Sequence, residues 1–299
     1  MSRSNILLGS VLAGTAGIGF AANSTAAKLA YEGGTNPLTF LTLRSALAAL
    51  LVLSIILLTR RSLQMPFRRR FAAFTIGAIL ALYSYGLLAA IQFIPVALAV
   101  LTFYTFPLLT SAYAWMSGRE RPSLLSIAAL LVACGGLVLA LDVRGGQLNL
   151  EGIALAAMAA LGVTIVVILN NRLVGTADAH PITLQMMLSA TFLYALITLV
   201  WGDFALPQTG AGWTSLAVGA SFYAGAILTV FVAMSLAGAV PTALSMNLEP
   251  VASLAFGFLI LGQALSGLQL LGAGLVIAAV LSVRLAEIRK PGPKRVVTQ

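Results

Sequence analysis

The sequence predicts an all-α polytopic membrane protein, with ten transmembrane helices in two inverted five-helix repeats and both termini cytoplasmic. Three observations predict it: the composition, the spacing of the apolar runs and the distribution of positive charge. Of 299 residues, 60 % are hydrophobic and 8 % charged, against about 25 % charged in a soluble protein. Apolar runs of roughly 20 residues recur, the length a helix needs to cross a bilayer. A transmembrane barrel would show short alternating strands instead.

Gly, Pro and charged clusters divide the chain into ten such runs. The first extends from Ile6 to Ala30 and the second from Leu38 to Leu58. The third covers Phe71 to Gln92, the fourth Val96 to Met116, and the fifth Leu124 to Leu141. The sixth spans Ile153 to Asn170, the seventh Ile182 to Trp201, and the eighth Trp213 to Ala237. The ninth lies between Pro241 and Leu261, and the tenth between Leu268 and Leu285. Arg3 and the small residues near Ala21 and Ala22 resemble a signal peptide, but apolar character continues to Ala30, so this stretch is expected to remain as the first span.

Positive charge orients the runs. With the N-terminus inside, 14 of the 17 Lys and Arg fall in cytoplasmic segments, and only Lys28 and Arg144 lie outside. Arg44 remains within the second run. By the positive-inside rule this bias places both termini on the cytoplasmic side. The run Arg289-Lys290-Pro291-Gly292-Pro293-Lys294-Arg295 reads as a basic tail at the lipid surface.

The chain also repeats. At an offset of 144, Asn36-Pro37 falls near His180-Pro181 and Lys28 falls on Arg172. At 143, Phe106-Pro107 falls on Glu249-Pro250, and Glu120 with Ser123 falls on Gln263 with Ser266. Five spans per repeat, an odd number, invert the second copy. Charge agrees: the loop after the second span carries five Arg, while its counterpart near Gly202 to Gly212 carries none. The expected division is residues 1–146, residues 147–288 and a tail of 289–299. Inverted repeats are a recurring plan of secondary transporters, with the substrate at midplane between the halves.

Several function classes are excluded on composition. One Cys and one His supply neither a disulfide framework nor a metal site. No P-loop is present to cradle a nucleotide, and no paired acids stand at catalytic spacing. No enzyme activity, metal or cofactor is therefore expected. The net charge of +9 sits in loops and tail, which indicates topology rather than nucleic-acid binding.

The most informative stretch is Asn247-Leu248-Glu249-Pro250. Glu249 lies about 12 Å along its run from Pro241 at a rise of roughly 1.5 Å per residue. A carboxylate there is costly unless paired, protonated or facing water. Pro250 weakens the helix at the same point and frees a carbonyl in the preceding turn. Arg44 stands about 10 Å into its own span, so an ion pair with Glu249 is one reading. The alternatives are that Glu249 faces a substrate ammonium or carries a proton.

The 5+5 plan resembles the drug/metabolite transporter superfamily, EamA type, over nearly all of residues 1–290. The resemblance rests on Lys28 ending the first span, Arg44 early in the second, Phe106-Pro107 in the fourth followed by Glu120, and Leu248-Glu249-Pro250-Val251 in the ninth. Gln263 departs from it, because members often carry an acid there. Within the superfamily the chain looks most like bacterial amino-acid exporters of the YddG kind. The resemblance implies a central cavity lined by spans one, three, four, six, eight and nine.

In those spans the sequence offers Asn23, Tyr83, Tyr85, Phe103, Tyr104, Asn247 and Glu249 as substrate-binding candidates, with Arg44, Pro107 and Pro250 as gating or structural ones. Against these stand ordinary roles: Asn bridging helices, Tyr at the headgroup level and Phe in packing. The expected function is export of small metabolites across the inner membrane by alternating access. Amino acids are the foremost substrates, neutral and aromatic ones leading, with either proton coupling or facilitated diffusion. A multidrug or other metabolite exporter of the same fold is the alternative.

Overall fold

The computed structural model describes residues 3–60, 62–117, 124–140, 149–174, 179–201, 204–237, 242, 245–263 and 265–289. Arg61, Glu120, the charges at Arg119, Arg121 and Arg144, and the tail beyond Arg289 lie outside them. Eleven helices are described: α1 Arg3–Glu32, α2 Pro37–Leu58, α3 Phe67–Phe93, α4 Val96–Phe103, α5 Phe106–Met116 and α6 Leu124–Ala140, then α7 Leu150–Val174, α8 Ala179–Trp201, α9 Gly210–Ala237, α10 Leu248–Leu259 and α11 Gly267–Arg289. No strand occurs among the described residues. Among the described residues six helices are long and apolar enough to cross a membrane, and the shorter apolar stretches are Val96–Thr110, Ile127–Gly136, Leu248–Leu259 and Gly267–Ala279.

Local signals set the helix ends. Asn36 caps α2, its side chain accepting from the Thr39 N–H at 2.8 Å. Pro37 takes the first helical position, where a missing N–H costs nothing. Lys28 Nζ donates to Ile91 O at 3.1 Å, placing a cation on the carboxyl end of α3, where the helix dipole favours it.

The fourth run is two helices rather than one. The chain turns at Tyr104 and Thr105 and resumes as α5 with Pro107 as its second residue. The ninth run breaks in the same way, turning at Met246 and Asn247 before α10, whose third residue is Pro250. A proline ring excludes the carbonyl four residues earlier, so each break falls just upstream of its proline. The two breaks lie 142 residues apart, matching the sequence repeat.

Packing follows a two-fold exchange. α1 packs on α9, α3 on α7, α2 on α8, α6 on α11, and α4 on α10. Exchanging α1 with α7, α2 with α8, α3 with α9, α4–α5 with α10, and α6 with α11 leaves this pattern unchanged. Two further sets obey it: α3 with α8 mirrors α2 with α9, and α1 with α10 mirrors α4–α5 with α7. The halves therefore interdigitate, and the core lies between them.

Small residues permit this closeness. A Cβ on Gly17 would stand 2.9 Å from Met246 O, so α1 lies directly against the break before α10. Gly136 meets Gly272 O at 2.8 Å in the same sense, whereas Gly135 and Gly274 face open space.

Candidate functional site

The two breaks meet across the two-fold. Tyr104, at the end of α4, places its hydroxyl 2.7 Å from Glu249 Oε2 and 3.1 Å from Met246 O. Met246 O is the carbonyl that Pro250, four residues on, cannot serve, and it also accepts from the Glu249 N–H at 3.0 Å. The freed carbonyl expected from the sequence is thus real, and a tyrosine from the other half reaches it. The phenol carries one proton. It either donates to an ionised Glu249, or accepts from a protonated Glu249 and donates to Met246 O.

Beside this junction is a cavity of about 210 Å³. Arg44, Glu249 and Asn23 line it, each under a tenth exposed. Its walls are aromatic. Tyr83 stacks on Phe103 at 5.9 Å, and Phe103, Tyr104 and Phe106 meet pairwise at 5.7–5.9 Å. Phe20 packs edge-on against Tyr223 at 5.8 Å on another part of the wall. Gly162 allows α7 to approach this group, since a Cβ there would fall 2.6 Å from that of Tyr83.

Arg44 has its own setting. Its Cζ lies 3.8 Å from the centre of the Tyr223 ring, a cation–π contact strengthened by exclusion of water. With the Asn23 amide turned to satisfy its neighbours, the amide oxygen accepts from Arg44 Nη1 at 3.1 Å and its nitrogen donates to Gly219 O at 3.2 Å. Arg44 Nε is buried without a hydrogen-bond partner. Although Arg44 and Glu249 line the same cavity, no Arg44 nitrogen comes within 4.0 Å of a Glu249 oxygen. Each is instead held by an aromatic residue of the opposite half: Arg44 by Tyr223, Glu249 by Tyr104.

Of the sequence candidates, the cavity gathers Asn23, Tyr83, Phe103, Tyr104 and Glu249, and adds Arg44. Tyr85 and Asn247 lie outside its lining. Residues 83 and 85 project about 200° apart on a helix of 3.6 residues per turn, so one faces the cavity and the other packs on the core. Asn247 is buried beside Pro250, Leu101 and Val276, adjoining Tyr104. Pro250 is buried in α10, and Pro107 lies at the start of α5.

Sequence reasoning missed Tyr223, Ser24, Ser84, Phe20 and Phe106. Tyr223 carried a usable signal, because it is the one tyrosine in the eighth run and sits ten residues from Trp213. Arg44 entered from the second span, which the expected cavity did not include. Gln263 also gains a role: its Oε1 accepts from the Val96 N–H at 3.2 Å. It thereby caps α4 from the other half, a task that an acid at this position would also perform. Among the described residues no three His, Cys, Asp or Glu side chains converge to hold a metal.

Comparison with known proteins agrees with this architecture. The EamA-like transporter family matches twice, over residues 7–141 and 150–285. A solved crystal structure shares the fold with a TM-score of 0.63 at 20 % identity, covering 91 % of this chain and 98 % of that one. No curated protein matches the sequence. With the family matched over both halves, the chain belongs to the EamA-like transporter family, whose members are multi-pass membrane transporters of small molecules.

Proposed function

We propose that the protein is a secondary transporter that exports amino acids, neutral and aromatic ones foremost, by alternating access. In this reading ten spans form two inverted repeats, residues 1–146 and 147–288, with both termini and the basic tail of 289–299 on the cytoplasmic side of the inner membrane. The halves rock about the central cavity.

The observation that carries the reading is one aromatic-walled cavity containing a buried cation, Arg44, and a buried acid, Glu249, that do not pair with each other. Burying two opposite charges apart is expensive. The expense is explained if a solute with both charges completes them. The aromatic walls then receive its side chain by stacking and apolar contact.

Size supports this reading over the multidrug alternative. A volume of about 210 Å³ holds a small metabolite, but falls below the roughly 300–1,000 Å³ of drug-sized sites. Lipid and solute are the only partners the reading requires, and coupling is left between facilitated diffusion and proton antiport.

Counterflow in proteoliposomes tests it. Vesicles preloaded with unlabelled amino acids should accumulate labelled phenylalanine, threonine or methionine above empty liposomes, with no imposed gradient. Folded protein that accumulates none of these, but exchanges bulky organic cations, would establish the multidrug alternative instead.

A further inference from the structure

We propose that Arg44 is the carboxylate receptor of the cavity, and that the solute lies across it as a zwitterion, carboxylate on Arg44 and ammonium on Glu249. This rests on the transport reading above and assigns the substrate its polarity. It also gives Arg44 a binding role.

The argument starts from what Arg44 lacks. A guanidinium carries five N–H donors in a planar fork. Asn23 accepts one of them, Nε has no partner, and Tyr223 offers only its ring face. Among the described residues no acid lies within 4.0 Å of it, and only 3 % of the residue is exposed. A buried fork with vacant donors, lining a cavity, is suited to a planar bidentate acceptor.

The other cavity groups narrow the anion. Glu249 lines the same space, so a phosphate or dicarboxylate would bring further negative charge beside it in a low-dielectric site. Among the described residues no second cation lines the cavity, and Lys28 is engaged with Ile91 O. A monocarboxylate that also carries an ammonium satisfies both poles. Because Arg44 belongs to one half and leans on Tyr223 of the other, while Glu249 belongs to the second and is held by Tyr104 of the first, such a solute would bind all four at the junction that must move.

The test is competition against labelled phenylalanine counterflow. Three unlabelled competitors are compared: phenylalanine, phenylalaninamide, which keeps the ammonium and loses the carboxylate, and 3-phenylpropionate, which does the reverse. In the wild-type protein phenylalaninamide should compete at least about tenfold more weakly than phenylalanine, since a site built for a polar group rejects the analogue lacking it. In Arg44→Gln, phenylalanine should weaken to the level of the amide while the amide is unchanged, and Arg44→Lys should fall between. Equal competition by phenylalanine and its amide in the wild type overturns the proposal with the transport reading intact. That comparison needs no variant, so it stands even if Arg44→Gln does not fold. Absence of exchange for every amino acid overturns the transport reading, and the proposal with it.

Discussion

Replacing Tyr104 by Phe removes a single oxygen from the junction between the halves. The ring contacts with Phe103 and Phe106, at 5.9 and 5.8 Å, survive the change. What is lost is the hydroxyl 2.7 Å from Glu249 Oε2 and 3.1 Å from Met246 O. Met246 O keeps the Glu249 N–H at 3.0 Å, so the loss falls on the carboxyl of Glu249, a residue only 6 % exposed. A hydrogen bond to a charged group contributes about 1.5–3 kcal/mol, and a neutral one about 0.5–1.5. With Glu249 ionised, Tyr104→Phe should therefore lower unfolding stability by roughly 1.5–3 kcal/mol, and with Glu249 protonated by roughly 0.5–1.5. In a Glu249→Gln background only the neutral bond is at stake, and the same change should cost about 1 kcal/mol less. Reversible SDS unfolding of the four proteins in mixed micelles measures this coupling. A Tyr104→Phe protein as stable as wild type would refute the claim that this contact joins the halves, and two changes that simply add would refute an ionised Glu249 at it.

Other predictions follow from the same geometry. Gly17→Ala puts a Cβ 2.9 Å from Met246 O and 3.2 Å from Glu249 N; overpacking of about 1–3 kcal/mol should exceed the gain in helix propensity of about 1 kcal/mol. Gly225→Ala, which meets open space, should be neutral or stabilising in the same unfolding assay. Gln263→Ala should cost about 1 kcal/mol through the lost cap on Val96, whereas Gln263→Glu keeps the acceptor, favours the helix dipole and should be at least as stable as wild type. If transport is proton-coupled through Glu249, flux by Glu249→Gln should lose its dependence on pH; dependence equal to wild type would remove Glu249 from that role.

Much of the architecture was legible in the chain because hydropathy is local. A run of about 20 apolar residues must satisfy its backbone as a helix in lipid wherever it sits, and the helix bounds follow the runs closely. The breaks were only half legible. Pro250 signalled one, but the turn comes at Met246 and Asn247, because the ring acts on the carbonyl four residues upstream. Pro107 was noticed as a repeat mate of Pro250, yet the fourth run was read as one span.

The faces of the helices were not legible. In a soluble helix the polar side marks solvent and the apolar side the core. Here lipid is as apolar as the protein interior, so the sequence does not distinguish Tyr83, on the cavity, from Tyr85, against the core. Arg44 shows the same limit. Its depth along α2 suggested a pairing with Glu249, but depth says nothing about direction across the bundle. The interdigitation of α9 with α1 and α2 sets Tyr223 and Asn23 against Arg44 and keeps Glu249 for Tyr104. By itself the sequence determined a membrane-embedded, twice-repeated helical chain with one acid and one arginine deep in its spans, because burial of a charge in lipid is visible residue by residue. Only the tertiary structure decided that both charges line one small cavity without pairing, because that depends on which helix faces are brought together between the halves.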